Sequence, residues 1–387
     1  MAVQTFHFRV GNGDMTLIRL ENGRVILIDI DIRASADDPN DPTPDVAGQL
    51  RKLLKRDDEG RLYVDAFLLT HPDKDHICGL RSHFHLGAPA LWVKSSDKIL
   101  IREMWSSPIV FRRANKKDHK LCDDAKAWAT EARRRVQYFK DFGSVANGDR
   151  IKILGEDVDG KTDGLGAILV KLEDTFETIC GVSDGSFVAR LLAPRPASDE
   201  DEEEVLTKNN SSVILHLSLK IAGQVKARYL LGGDAEVAIW EKIWAHHKNT
   251  PDRLQYDVLI APHHCSWHSL SWDSWSDWKE RARLSADARK ALGQALDKAI
   301  VIASSKPIKD DKDDPPCIRA KREYLSIVRS VGGRFICLGE GGETEPVILT
   351  IGGPKDSPSL LRPATTAAGA FSFPNRPVAP DRPGGFA

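Results

Sequence analysis

Apolar and polar residues alternate from Thr16 to Leu20, the chain turns at Glu21-Asn22-Gly23-Arg24, and an apolar, β-branched run follows over Val25–Ile30. Alternation, turn residues and a second apolar run predict a β-hairpin. Ahead of it, Val10-Gly11-Asn12-Gly13-Asp14 is a glycine-punctuated turn. Residues 33–44 are a polar loop, and Asp45–Arg56 places Val46, Leu50, Leu53 and Leu54 at helical spacing. Val64–Thr70 is a short buried strand that runs directly into His71. Further strands are predicted at Val213–Leu219, Ala227–Leu231, Asp257–Ile260, Ala299–Ala303 and Arg334–Leu338. A helix is predicted over Ser285–Lys298 with Ser285 as its N-cap. Strand and helix signals are both present, so a mixed α/β chain is expected.

Composition narrows the picture. The 387 residues are 41% hydrophobic, which excludes global disorder, and the 55 basic and 56 acidic side chains exclude a uniformly basic nucleic-acid coat. No apolar run approaches the roughly 20 residues that span a bilayer, and no basic-then-apolar leader opens the chain, so no membrane is expected. Six cysteines without a CxxC pair fit a reducing, cytoplasmic location. Charge is uneven locally: residues 112–140 carry ten Lys/Arg and four Asp/Glu, whereas Asp199 to Glu204 are six consecutive acids. The basic stretch is either a solvated helix face or a contact surface for phosphate or an acidic protein partner. Residues 267–278 hold four of the nine tryptophans, as an interface or as core packing. Residues 353–387 hold seven of the 21 prolines and are expected to be a disordered tail.

Histidine is the uneven residue, since five of twelve fall at His71, His76, His263, His264 and His268. His71-Pro72-Asp73-Lys74-Asp75-His76 sets four candidate metal ligands on a loop leaving a strand end. Imidazole with carboxylate suits zinc, with manganese or iron as alternatives. Two more strands end the same way, Tyr229–Leu231 before Gly232-Gly233-Asp234 and Tyr256–Ile260 before His263-His264. An acid after a strand is ordinarily a turn residue or cap. Three such ends in order form a specific combination.

His71-x-Asp73-x-Asp75-His76 resembles the HxHxDH signature of the metallo-β-lactamase fold, in the variant of the ComEC-type hydrolase domain. Val10–Asp14 resembles the VGQGD turn of that domain, Asn22–Asp29 its NGxxxLIDxG strand, and Asn209–Leu215 its NNxSLVL segment. Leu231–Glu236 is similar to LLTGDAE, and Pro262–Ser266 to the HHGS motif. The resemblance spans about residues 6–340. It implies a four-layer αββα sandwich over 1–352, with charged insertions at about 84–145 and 267–298, and one or two divalent ions, zinc or manganese. It places His71 and Asp73 on one ion, and Asp75, His76 and a member of the His263-His264 pair on the other. His263 is preferred, being nearer its strand. Asp234 would bridge, Asp75 or Asp234 would handle the proton, and Asp29 would brace the loop from behind.

Where the family supplies a further histidine, this chain reads Lys208-Asn209-Asn210-Ser211-Ser212, which leaves Asn209 and Asn210 as candidate ligands or substrate contacts. His216 is expected to pack in its strand and Cys265 to be a small buried residue. The resemblance favours hydrolysis of a phosphodiester, in nucleic acid or a nucleotide, with Lys306 as a candidate phosphate contact. Carbon esters, thioesters or lactones are the alternative substrates on the same fold. A metal-binding module that recruits a partner is the non-enzymatic alternative.

Overall fold

The computed structural model describes residues 2–38, 40–108, 121–157, 160–195, 209–352 and 362–363. The acidic run 199–204, residues 112–120 of the basic stretch, the side chain of Asn210 and most of the proline-rich tail lie outside these.

Two sheets face each other. The first runs, from one edge, through Leu169–Val170, Arg150–Leu154, Ile99–Ser106, Leu62–Leu69, Val25–Ile28, Thr16–Arg19, Val3–His7 and Val347–Ile351, with Arg362–Pro363 added at the far edge. The second runs through Thr175–Phe176, Phe187–Ala193, Ile214–Ile221, Gln224–Leu231, Tyr256–Ile260, Ala295–Ala303 and Arg334–Cys337. The Thr16–Arg19 and Val25–Ile28 hairpin is antiparallel, as its glycine turn requires.

Strand parity explains the layers. Ile26, Ile28, Ala66 and Leu68 point between the sheets, where they meet Leu215, Leu217, Tyr229, Leu231, Val258 and Ile260. Leu27, Phe67 and Leu69 point outward, onto the helices Val46–Leu53 and Asp123–Phe142. On the other side Leu230, Leu259 and Val301 pack against Val237–His247, Ala286–Leu292 and Ile318–Ser330. Three cores separate four layers, and the fold is an αββα sandwich. Central strands covered on both faces read as continuous apolar runs, which is what Val25–Ile28 and Ala66–Leu69 are.

Two local expectations need correction. The helix over 285–298 stops at Leu292. Ser285 Oγ caps it at Ala288 N (3.2 Å), but Gly293 ends it, and Ala295 already pairs in parallel with Tyr256. Sheet edge bonds outcompete a helical turn that has little left to bury. In the basic stretch, Arg135 is fully buried and, with Arg134, pairs with Glu131 at 2.7 Å. Those two cations serve the fold and not a surface. The tryptophans divide: Trp267 and Trp275 are core, and Trp272 and Trp278 are exposed. Among the described residues, no helix is long and apolar enough to cross a membrane.

Candidate metal centre

The sequence-predicted ligands converge at one edge of the sandwich. His71 follows the Leu62–Leu69 strand, and a single helical turn over Lys74–Ile77 presents Asp75 and His76. Gly79 closes that turn at φ 93°, where a Cβ would lie 2.7 Å from Ile32 Cβ. Asp234 leaves the Gln224–Leu231 strand through Gly233, where a φ of 48° and a Cβ that would lie 2.9 Å from Ser212 Cβ exclude a larger residue. Ser212 Oγ accepts the Asp234 N–H at 3.1 Å. After Tyr256–Ile260, three non-glycine residues in a row are left-handed, His263 (φ 51°), His264 (52°) and Cys265 (70°). Each such residue costs about 1–2 kcal/mol. The turn is held by His263 N donating to Gly233 O (2.9 Å) and Ser266 N to His263 O (2.8 Å). Strain this concentrated marks a loop whose side-chain directions matter.

Distances sort the side chains into two groups around buried Asp234. In one, His76 Nε2 lies 3.1 Å from Asp234 Oδ1 and 3.4 Å from His264 Nε2, and His264 Nε2 lies 3.5 Å from Asp234 Oδ2 and 3.4 Å from Asp75 Oδ2. In the other, His71 Nε2 is 3.6 Å and His263 Nε2 3.8 Å from Asp234 Oδ2, with Asp73 Oδ2 3.9 Å from His71. Ligand atoms about 2.0–2.1 Å from a tetrahedral zinc stand about 3.3 Å apart, so these spacings fit shared cations. The residue beside Asp75 and His76 is therefore His264, and His263 stands on the His71 side, the reverse of the expected assignment. Adjacent residues reach opposite groups because their left-handed backbone splays the two rings.

Orientation is fixed from behind. Asp29 Oδ2 lies 2.8 Å from His76 Nδ1, and both Asp29 oxygens accept from Thr70, at 2.7 Å from its N–H and 2.6 Å from its hydroxyl. His264 Nδ1 donates to Ser304 O at 3.1 Å. Both rings thereby turn Nε2 toward Asp234. His71 Nδ1 lies 3.2 Å from Thr70 Oγ1, while its buried Nε2 finds no hydrogen-bond partner among the described residues. An orphaned imidazole nitrogen facing carboxylates suits a cation.

The charges compete strongly. Burial alone lifts a carboxyl, but the four histidines around Asp234 hold it well below its ordinary range. Burial alone lowers an imidazole, yet Asp234 and Asp29 raise His76 well above its range, and Asp234 and Asp75 raise His264 to about 10. Binding of a metal ion by such a group would release those protons.

One member escaped the sequence reading. Asp14 is buried, its Oδ2 lies 3.9 Å from His76 Nδ1, and its carboxylate joins His76, Asp234 and His264 in a group of ligand atoms all within 4.8 Å. Burial raises its pKa to about 6. The signal was the Val10–Asp14 turn itself, which ends in an acid.

Other expected residues sit elsewhere. Asn209 Nδ2 donates to Glu236 Oε1 (2.9 Å), and Lys306 Nζ pairs with Asp313 (2.5 Å) at a half-exposed position. His216 packs in its strand against Gln255 O (2.7 Å), and the Cys265 thiol is buried and pushed up by that burial. A pocket of about 710 Å³ opens beside Asp73 and Asp75, lined also by Asn12, Asp31, Arg33 and Lys74.

Two segments have the spacing of unrelated hydrolase motifs. Gly155–Thr162 matches GxxxxGK[ST] after the Arg150–Leu154 strand, but Lys161–Gly164 continue in turns and not in the helix whose N-terminus would cradle phosphate. Gly181-Val182-Ser183-Asp184-Gly185 matches GxSxG. It lies on the small Thr178–Ile179/Val182–Ser183 hairpin, not on a strand-to-helix elbow, and Ser183 donates to Glu177 (3.1 Å).

No family model matches the chain, and no curated protein matches it in sequence. Among solved structures, the crystal structure of unliganded yeast PDE1 is similar at 14% identity and a TM-score of 0.41, covering 91% of this chain and 99% of that one.

Proposed function

We propose that this chain is a metal-dependent phosphodiesterase acting on nucleic acid or a nucleotide. The observation that carries the reading is the pair of His/Asp ligand groups hinged on buried Asp234 at spacings a divalent ion accepts. His71, Asp73 and His263 would hold one ion, and Asp14, Asp75, His76 and His264 the other, with Asp234 shared. An ion held by these residues, zinc or manganese, would supply Lewis-acid chemistry: activation of water and charge stabilisation at a phosphoryl oxygen.

The protein's own groups do the rest. Asp29 and Ser304 O keep His76 and His264 in one orientation. Asp75, at 41% side-chain exposure, is the carboxylate of its group open to solvent, and is placed to orient an attacking water or take its proton. Arg33, which also meets Asp31 (3.6 Å) and donates to Val10 O (2.7 Å), and Lys74 line the pocket beside it and would supply positive charge for a phosphate. The pocket volume lies within the usual ligand range of about 300–1,000 Å³.

The test is hydrolysis by purified protein with Mn²⁺ or Zn²⁺, of single- and double-stranded DNA, RNA and a chromogenic phosphodiester. Cleavage is expected, with Asp234→Asn and Asp75→Ala at least about 100-fold slower. No cleavage of any phosphodiester, or wild-type rates in both variants, would overturn the reading. Turnover of lactones or thioesters in its place would select the carbon-ester alternative.

A further inference from the structure

A second cluster of ligand-type side chains lies at the far end of the helix that begins beside Asp234. We propose that Glu173, His246 and His247 form a separate zinc-type divalent-metal site. His246 and His247 are the last two residues of the Val237–His247 helix, and Glu173 lies between the strands Leu169–Val170 and Thr175–Phe176. At 1.5 Å per residue the helix separates this cluster from the Asp234 end by about 15 Å, so the two sites share no ligand.

The geometry is that of a three-ligand site. Glu173 Oε1 lies 3.1 Å from His247 Nε2 and 3.7 Å from His246 Nε2, and one ligand atom from each of the three falls within 4.8 Å of the others. Those separations bracket the roughly 3.3 Å edge of a tetrahedral zinc. Two imidazoles and a carboxylate leave a fourth position for water, and His246, half-exposed, gives it an opening to solvent. Glu173 is held in place from its own backbone: it is left-handed (φ 69°), its N–H donates to Leu191 O (2.8 Å), and its carbonyl accepts from Arg190 (2.8 Å).

An ion pair alone does not account for the cluster. Arg195 reaches Glu173 Oε1 at 3.0 Å, yet the buried Oε2 has no hydrogen-bond partner among the described residues, nor does Nδ1 of fully buried His247. The oxygen that faces both imidazoles, Oε1, is the one Arg195 meets, so a cation there would share it with the guanidinium, while the unpartnered Oε2 leaves the carboxylate under-satisfied. Arg195 opposes a second positive charge nearby. The C-terminal end of an eleven-residue helix, with a partial charge of about −0.5, favours one.

Zinc binding to the full-length apoprotein, by equilibrium dialysis and by Co²⁺ absorption, tests the site. His246→Ala, at a half-exposed position, and Glu173→Gln are each expected to bind one equivalent less than wild type, or to bind it at least tenfold more weakly. Their circular dichroism spectra should be unchanged. Asp234→Asn is expected to keep that equivalent while losing those of the catalytic centre, so failure of the phosphodiesterase reading is seen separately. Wild-type stoichiometry and affinity in His246→Ala would overturn the proposal. So would an equivalent that His246→Ala loses and Glu173→Gln keeps, since that is adventitious binding by surface histidine.

Discussion

His76 shows how one residue depends on others distant in the chain. Its Nε2 faces Asp234 and its Nδ1 is gripped by Asp29, itself tied to Thr70. Asp29→Ala frees the ring to rotate and leaves Thr70 without its acceptor. We expect metal affinity 10–100-fold weaker, as for other partners standing behind ligands, measured by zinc titration against a chromogenic chelator. Unchanged affinity would mean that Asp29 serves the loop fold alone. The His71–His76 group and Asp234 were legible because strand, turn and ligand-type side chain recur in the chain. The choice between His263 and His264 was not legible. Adjacent residues on a left-handed turn point apart, and no spacing rule reports a left-handed backbone at histidine. Asp14 was missed for a different reason. Its loop joins the site through Asp14 N donating to Asp75 O (3.1 Å), a contact across a long stretch of chain.

At the scale of elements, apolar runs located the central strands, and parity then assigned each residue to a helix-facing or sheet-facing core. His7 is an exception inside the first strand. It is buried, stacked on Tyr229 at 6.4 Å, and bonded to Thr5 Oγ1 at 3.0 Å. Burial pushes its pKa down to about 3. An unfolded histidine titrates near 6.5. Between these values the unfolded chain holds a proton that the folded chain refuses, so stability falls as pH drops from about 6.5 toward 3. At pH 5 this contributes a loss of about 2 kcal/mol, at about 1.4 kcal/mol per pH unit. His7→Asn removes the titration, so its loss of stability between pH 7 and pH 5 in urea unfolding should be smaller by about that amount. Equal losses in both proteins would show that His7 does not titrate in this window. The 285–298 segment shows where pattern alone stopped. Its early residues have helical spacing, but Gly293 and the free edge of the Tyr256–Ile260 strand convert its end to sheet.

Across the whole molecule, the candidate centre gathers Asp14, Asp29, Asp73, Asp75 and Asp234 around four histidines in largely buried surroundings. Such a cluster couples folding to cation binding. At 100 times its dissociation constant a bound ion stabilises by about 2.7 kcal/mol. Zinc or manganese should therefore raise Tm, a chelator should lower it, and the larger part of the gain should vanish in Asp234→Asn. A metal-independent Tm measured by calorimetry in the wild type would contradict this. The near-neutral total charge concealed unequal uses of charge: Arg134 and Arg135 are locked to Glu131, while Arg33 and Lys74 stand at the pocket.

By itself the sequence determined what local rules govern. Apolar runs located the central strands but not Val3–His7, Ile99–Ser106 or the helices Val237–His247 and Ile318–Ser330; turn residues set the hairpin, and the ordered recurrence of strand-end ligands pointed to a metal site. Tertiary structure decided what depends on contacts between remote segments. It paired His264 with Asp75 and His76, brought Asp14 in, tied Lys306 to Asp313, and set Glu173 against His246 and His247. Backbone spacing carries over only a few residues. Which side chains meet across the chain is set by the packing of two sheets and their helices.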